Sequence, residues 1–150
     1  MIDRADIVAE ARTWQGTPWR HQARVKRLAV DCVGLIGGVA AALGIAQARE
    51  WMADRAMHCY GTTPDPDAFF PACERFMCRV PLADATLGDV LAMAFSIRPQ
   101  HLAFVSRVNP LYGNPTYLIH AYSSVGKVVE NGVAVAKARV PRAYRLPGVA

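Results

Sequence analysis

The sequence predicts an α+β fold, with N-terminal helices packed on a C-terminal antiparallel β-sheet. Two observations carry this expectation. Apolar residues recur at helical spacing through the first half, whereas from residue 90 they come in short runs broken by Gly, Asn and Pro. Helices first and strands afterwards is the order of α+β proteins, not of alternating parallel-sheet folds. A third observation sets the scale. The chain has 150 residues, 53% hydrophobic and 19% charged, which suits one domain over 1–150 that packs a core without a metal or disulfide.

Asp3 is placed to cap a first helix, with Asp6 as a capping-box carboxylate. Ile7, Val8, Ala11 and Trp14 give that helix one apolar face. Gln15-Gly16-Thr17-Pro18-Trp19 stops it in a turn, and a basic loop follows over 20–27. A second helix is expected over 32–43, capped by Asp31 and closed by Gly44. Cys32, Leu35, Ile36, Val39 and Leu43 share one of its faces. Gly34, Gly37 and Gly38 each cost that helix roughly 1 kcal/mol relative to Ala, which is tolerable where another chain segment must come close.

Residues 45–64 read as a connector, weakly helical over 49–57. Asp65 and Pro66 open a third helix over 67–79, and Pro81 ends it. Strands follow over 90–95, 101–106, 117–122 and 127–130, with a last extended piece over 143–146. Residues 97–100 make the first turn between strands, and 109–115 a longer loop. No repeat, linker or low-complexity tract interrupts this order.

The net charge is +5. This favours anionic surroundings such as wall polymer, nucleic acid or lipid headgroups. Arg20, Arg24, Lys26 and Arg27 form one basic cluster without an aromatic ladder, which argues against specific nucleic-acid binding. The apolar run over 33–42 is too short and too rich in glycine to span a bilayer. Residues 1–6 are charged and lack the pattern of a secretory leader, so synthesis in the cytoplasm and delivery by another component are expected.

Cys32 carries the chemistry. Asp31 caps the helix, and Cys32 lies in its first turn, where free N–H groups and the helix dipole favour a thiolate. His101 opens the second strand and His120 lies in the third, its expected neighbour. Neighbouring antiparallel strands bring such side chains about 4.5–5.5 Å apart. A cysteine, a histidine base and a second histidine as orienter then meet the logic of a nucleophilic triad. Cys32, His101 and His120 could also hold zinc, but no acidic general base of the zinc-hydrolase type accompanies the histidines. A buried, inert helix cysteine is the bland alternative.

Cys59, Cys73 and Cys78 complete the cysteines. In a helix, Cys73 and Cys78 are separated by about 500° of rotation and face different sides. They are expected to be buried small hydrophobes, with no bridge between them and no metal. His58 reads as a loop residue.

The arrangement resembles the NlpC/p60 family of cell-wall peptidases, which have a papain-like core. Gly16-Thr17-Pro18-Trp19 is similar to the family's turn before the nucleophile. Asp31-Cys32-Val33-Gly34-Leu35 is similar to its helix start. Leu87-Gly88-Asp89-Val90-Leu91 resembles its Gly-Asp strand start, His101-Leu102-Ala103-Phe104-Val105 its histidine strand, and Ile119-His120-Ala121 the strand of its third polar residue. The segment from Gly16 to Gln22, His120-Ala121-Tyr122 and Ala143-Tyr144-Arg145-Leu146-Pro147 resemble the phage and gene-transfer-agent branch, whose members belong to a tail apparatus.

The resemblance implies Cys32 as nucleophile, His101 as base and His120 as orienter, with Asp31, Trp19 and Gln22 on the substrate side. It implies hydrolysis of an amide in the peptidoglycan stem peptide, of the D-glutamyl-diaminopimelate type, through a thioester. No cofactor or metal is implied. Phage-like tail proteins are the implied partners, and the periplasm or cell wall the implied place of action. Two departures stand out: Trp19 replaces the family's Tyr, and Val33 replaces its Ser. Val33 cannot accept a hydrogen bond, so selection of a free substrate amine is not expected. An inactive structural tail-tip subunit and another thiol amidase or acyltransferase remain open on the same fold.

Overall fold

The structure is a computed structural model that describes residues 1–54, 66–95, 101–136 and 139–150. Its first half runs α1 (Arg4–Arg12), β1 (Arg24–Val25), β2 (Ala29–Val30), α2 (Cys32–Ala42), α3 (Ala48–Ala53) and α4 (Pro66–Phe76). Then come β3 (Cys78–Val80), a 3-10 turn (Leu82–Asp84), β4 (Val90–Ala94), β5 (His101–Val108) and β6 (Pro115–Tyr122). The chain closes with β7 (Lys127–Gly132), α5 (Val133–Ala136) and β8 (Arg139–Arg145). This is the expected α+β class, with helices on a C-terminal antiparallel sheet.

The sheet has six strands in the order β3-β8-β4-β5-β6-β7, and each neighbouring pair is antiparallel. Strand alternation splits its side chains between two clusters. Val90, Ala92, Leu102, Phe104, Ile119 and Ala121 join the helical residues Ile7, Leu35, Ile36 and Val39 in the main core. Leu91, Met93, Ala103, Val105 and Leu118 form a second cluster with Ala143 of β8. Burial on both faces explains why β4 and most of β5 read as continuous apolar runs.

Asp3 caps α1 as expected, accepting a hydrogen bond from Ala5 N–H at 3.0 Å. Asp89 fixes the helix–sheet relation. It is fully buried and accepts from Arg4 Nη1 at 3.0 Å and from Arg145 Nε and Nη2, both at 2.9 Å. One carboxylate thus ties α1, the start of β4 and the end of β8 together. Gly88 before it has φ +78°, and a Cβ there would stand 3.1 Å from the Arg4 carbonyl oxygen.

Several expectations need correction. The basic loop over 20–27 holds the first strand of a β1–β2 hairpin, in which Arg24 pairs with Val30 and Val25 with Ala29. The third helix ends at Phe76, because Cys78–Val80 leaves it to pair with β8. Cys78 is therefore an exposed strand residue, not a buried helical one. Cys73 is buried as expected. The helix α5 and the extra residues of β5 and β7 are additions. His58, Cys59 and the turn at 97–100 lie outside the described residues. Among the described residues no helix is long and apolar enough to cross a membrane.

Candidate active site

The helix start that presents Cys32 is held from three sides. Asp31 has extended backbone angles, φ −108° and ψ −176°, and its Oδ1 accepts from Gly34 N–H at 2.8 Å. Its Oδ2 accepts from Gln22 N–H at 2.7 Å. Gln22 has φ 62°, a left-handed conformation that costs a non-glycine residue of order 1 kcal/mol or more. The Asp31 bond helps hold it there. Asp31 N–H donates to the Ala23 carbonyl at 3.1 Å, and Val30 N–H to the Pro18 carbonyl at 2.9 Å.

This explains one of the costly glycines of α2. A Cβ on Gly34 would lie 2.5 Å from the Ala23 carbonyl oxygen, so the hairpin approaches the helix as only glycine allows. The turn before the hairpin is fixed in turn to β7 and to the residue that precedes it. Gly16 N–H donates to the Val128 carbonyl at 3.0 Å, and Trp19 N–H to the Gly126 carbonyl at 2.8 Å. Trp19 packs partly buried against the core. Gln22 is tied to the site through its backbone.

Cys32 is 9% exposed. Backbone N–H groups of Leu102, Val33 and Cys32 itself are directed at its sulfur and favour the thiolate. Burial outweighs them and, with the Asp31 carboxylate adding to the rise, pushes the thiol up to about 12. The helix-start N–H groups act in the direction that the helix dipole implies, but desolvation and a carboxylate next in sequence outweigh them. Cys32 rests as a neutral thiol. Val33 is 1% exposed and belongs to the core, so its side chain offers no surface on which to select a substrate amine.

The two histidines meet as expected, on adjacent strands β5 and β6. His101 Nε2 lies 2.7 Å from His120 Nδ1, and His120 Nε2–H donates to Asn131 Oδ1 at 2.9 Å. Asn131 lies two residues beyond Val129, the register partner of His120, and so on the same side of the sheet. Tyr122 stacks on His120 at 4.8 Å between ring centroids, and Phe95 stacks on Tyr122 at 5.4 Å. Burial, and then His120, hold His101 well below the ordinary imidazole value of 6.5. Burial also lowers His120, while its bond to Asn131 works in the opposite direction. Both rings are neutral near pH 7.

Cys32 reaches this pair through the start of β5, since Leu102, whose N–H faces the sulfur, directly follows His101. With His101 Nε2 engaged by His120, Nδ1 is the ring nitrogen left to act as a base. A 2.7 Å contact between the imidazole nitrogens leaves no room for an ion between them. Among the described residues no group of three His, Cys, Asp or Glu side chains is arranged to hold a metal.

Asn131 is the residue that sequence reasoning missed. The strand expected over 127–130 extends to Gly132, which brings Asn131 into the period-two pattern with Val129. Asn-Gly at that point reads as a strand end. Only the pairing with β6 gives it a partner.

No family profile and no curated protein matches the sequence. Solved structures do match. The NlpC/p60 domain of the peptidoglycan hydrolase SagA superposes with a TM-score of 0.64 at 19% identity, over 97% of this chain and 100% of that one. An N-acetylmuramoyl-L-alanine amidase from Bacteroides uniformis gives 0.63 at 14% identity, over 95% of this chain and 98% of the other. NlpC2 from Trichomonas vaginalis gives 0.62 at 12% identity over 97% of this chain, which spans only 48% of that protein. With a cysteine at the start of a buried helix and a histidine pair on adjacent strands of the antiparallel sheet, this chain has the fold of the NlpC/p60 domains.

Proposed function

We propose that this chain is a cysteine peptidase of the NlpC/p60 type that hydrolyses amide bonds in peptidoglycan stem peptides. The observation that carries the reading is the hydrogen-bonded line His101–His120–Asn131, whose first histidine directly precedes Leu102, the residue whose backbone N–H approaches the Cys32 sulfur. The fold likeness to a peptidoglycan hydrolase and to an amidase supports the substrate class.

Proton transfer and attack are coupled in this reading, because both partners rest neutral. His101 Nδ1 takes the thiol proton as Sγ attacks the amide carbonyl. The N–H groups of Cys32 and Val33, which approach the sulfur at the helix start, also stabilise the oxyanion as it forms next to that sulfur. The C–N bond breaks, and the amine leaves with the proton from His101. Water then attacks the thioester with His101 again as base, releasing the acid and restoring the thiol. His120 accepts the Nε2–H of His101 throughout and spreads its transient positive charge. Trp19, Gln22 and Asp31 flank Cys32 on the substrate side, Asp31 through the helix start that it caps.

The D-glutamyl-diaminopimelate bond is the proposed target. The chain is proposed to act in the periplasm or wall as a component of a phage-like or gene-transfer-agent tail, in contact with other tail proteins. The net charge of +5 suits residence on an anionic wall. Part of the basic cluster turns inward, since Lys26 Nζ bonds Glu10 at 2.9 Å and Arg24 Nη1 approaches Met52 Sδ at 3.6 Å. That weakens a nucleic-acid reading. A second reading, a non-catalytic structural subunit, is favoured by one observation: Cys32 is buried, with its thiol pushed up to about 12.

Mass spectrometry of muropeptides separates the two. The protein should release shortened stem peptides from purified sacculi, and Cys32→Ala should not. Sacculi left unchanged by the intact protein would favour the structural subunit.

A further inference from the structure

We propose that Asn131 is a positioning residue that fixes the tautomers of His120 and His101 and so keeps His101 Nδ1 free of a proton. The consequence for catalysis rests on the peptidase reading above; the tautomer assignment does not. The carboxamide oxygen of Asn131 can only accept, so the hydrogen in the 2.9 Å bond belongs to His120 Nε2. A neutral imidazole with its hydrogen on Nε2 has a lone pair on Nδ1. That lone pair faces His101 Nε2 at 2.7 Å, so the hydrogen of this second bond belongs to His101. His101 Nδ1 is then the bare nitrogen.

The order of hydrogens reverses if the carboxamide turns over. An NH2 group of Asn131 donating to His120 Nε2 would place the His120 hydrogen on Nδ1. His101 Nε2 would become an acceptor, and Nδ1 would carry the hydrogen. A base would be lost two rings away from the side chain that turned. Burial keeps water from scrambling the order. His120 is 0% exposed, its face is covered by Tyr122 at 4.8 Å, and Phe95 and Tyr122 both contact the His101 ring, at 5.3 and 6.1 Å.

Long-range proton–nitrogen NMR of the histidine rings in the full chain, at a pH where both are neutral, tests the assignment. The unaltered protein should show hydrogen on Nε2 of both His101 and His120. Asn131→Leu should leave both rings as tautomer mixtures and lower kcat on muropeptides by the fraction of His101 that no longer has a bare Nδ1, about 2–10-fold, with KM little changed. Asn131→Asp, which still accepts, should keep both Nε2–H tautomers and recover most of kcat. Hydrogen on His101 Nδ1 in the unaltered protein would overturn the proposal, whether or not either variant folds. So would Nε2–H tautomers that persist unchanged in a folded Asn131→Leu protein. A protein with the expected tautomers that cleaves no peptidoglycan would refute the peptidase reading and leave the positioning role intact.

Discussion

His101 Nε2 and His120 Nδ1 stand 2.7 Å apart, and both rings are buried. Two imidazoles at that distance share one hydrogen, so they cannot both be protonated without losing the bond. In the proposed reaction the pair acts as one base with a neutral acceptor behind it. Its behaviour differs from that of a histidine backed by a carboxylate.

The first prediction separates the two rings. His101→Ala should lower kcat by about two to four orders of magnitude, the scale of a lost general base. His120→Asn should retain part of the activity, because a neutral amide still accepts from His101. Steady-state kinetics on a purified muropeptide, with circular dichroism as a folding control, measures both. A folded His120→Ala variant with full activity would remove His120 from the relay.

The second concerns pH. His101 and His120 have folded values lowered from 6.5, so the unfolded chain binds their protons first as pH falls. Their contribution to stability is complete above about pH 6.5 and declines as pH drops through the window below it. Tm should fall between pH 7.5 and 5, and less so in His120→Asn. The acid limb of kcat/KM should also lie below pH 6.5. A limb above that value would mean that His101 is not held neutral by burial.

Thiol chemistry gives the third prediction. Cys78 is exposed, whereas Cys32 and Cys73 are buried with raised values. Iodoacetamide with peptide mapping should find Cys78 labelled before Cys32. Labelling of Cys32 should climb steadily toward alkaline pH, without a plateau near pH 6. Early labelling of Cys32 in mild acid would reveal a preformed thiolate–imidazolium pair and contradict the neutral resting state.

The fourth tests two fixtures of the fold. Asp89→Ala removes the acceptor shared by Arg4 and Arg145, and loss of one partner in such a buried ionic group costs about 3–5 kcal/mol. Gly34→Ala forces the Ala23 carbonyl away from the helix and should cost about 1–3 kcal/mol, the usual range for overpacking. Urea unfolding checks both. Gly34→Ala should lower activity as well, because the same shift strains the Asp31–Gln22 bond, whereas unchanged stability would show that the hairpin yields freely.

What the sequence made legible follows from the range of the forces involved. The helices α1 and α2 announce themselves by local periodicity, capping aspartates and Gly44, and β4 to β6 by apolar runs between turn residues. The β1–β2 hairpin was not legible, because its strands of two residues are held by Asp31 and Pro18 rather than by their own pattern. Cys78 was misplaced because its partner, Arg145, is far along the chain. Cys32, His101 and His120 were legible as residues, but the direction of the thiol shift was not. A helix dipole is local and visible in sequence; burial is tertiary. Asn131 stayed hidden for the same reason, since its role exists only in the register of β7 against β6.

In the proposed reaction Cys32 forms a covalent thioester with a stem-peptide acyl group. Rapid acid quenching of the protein with a tetrapeptide muropeptide, followed by intact-mass and peptide analysis, measures it directly. The account predicts a mass increment equal to the acyl fragment on the peptide that contains Cys32, released by hydroxylamine and absent in Cys32→Ala. Cleavage that persists in Cys32→Ala, or an acyl group carried on another residue, would contradict it.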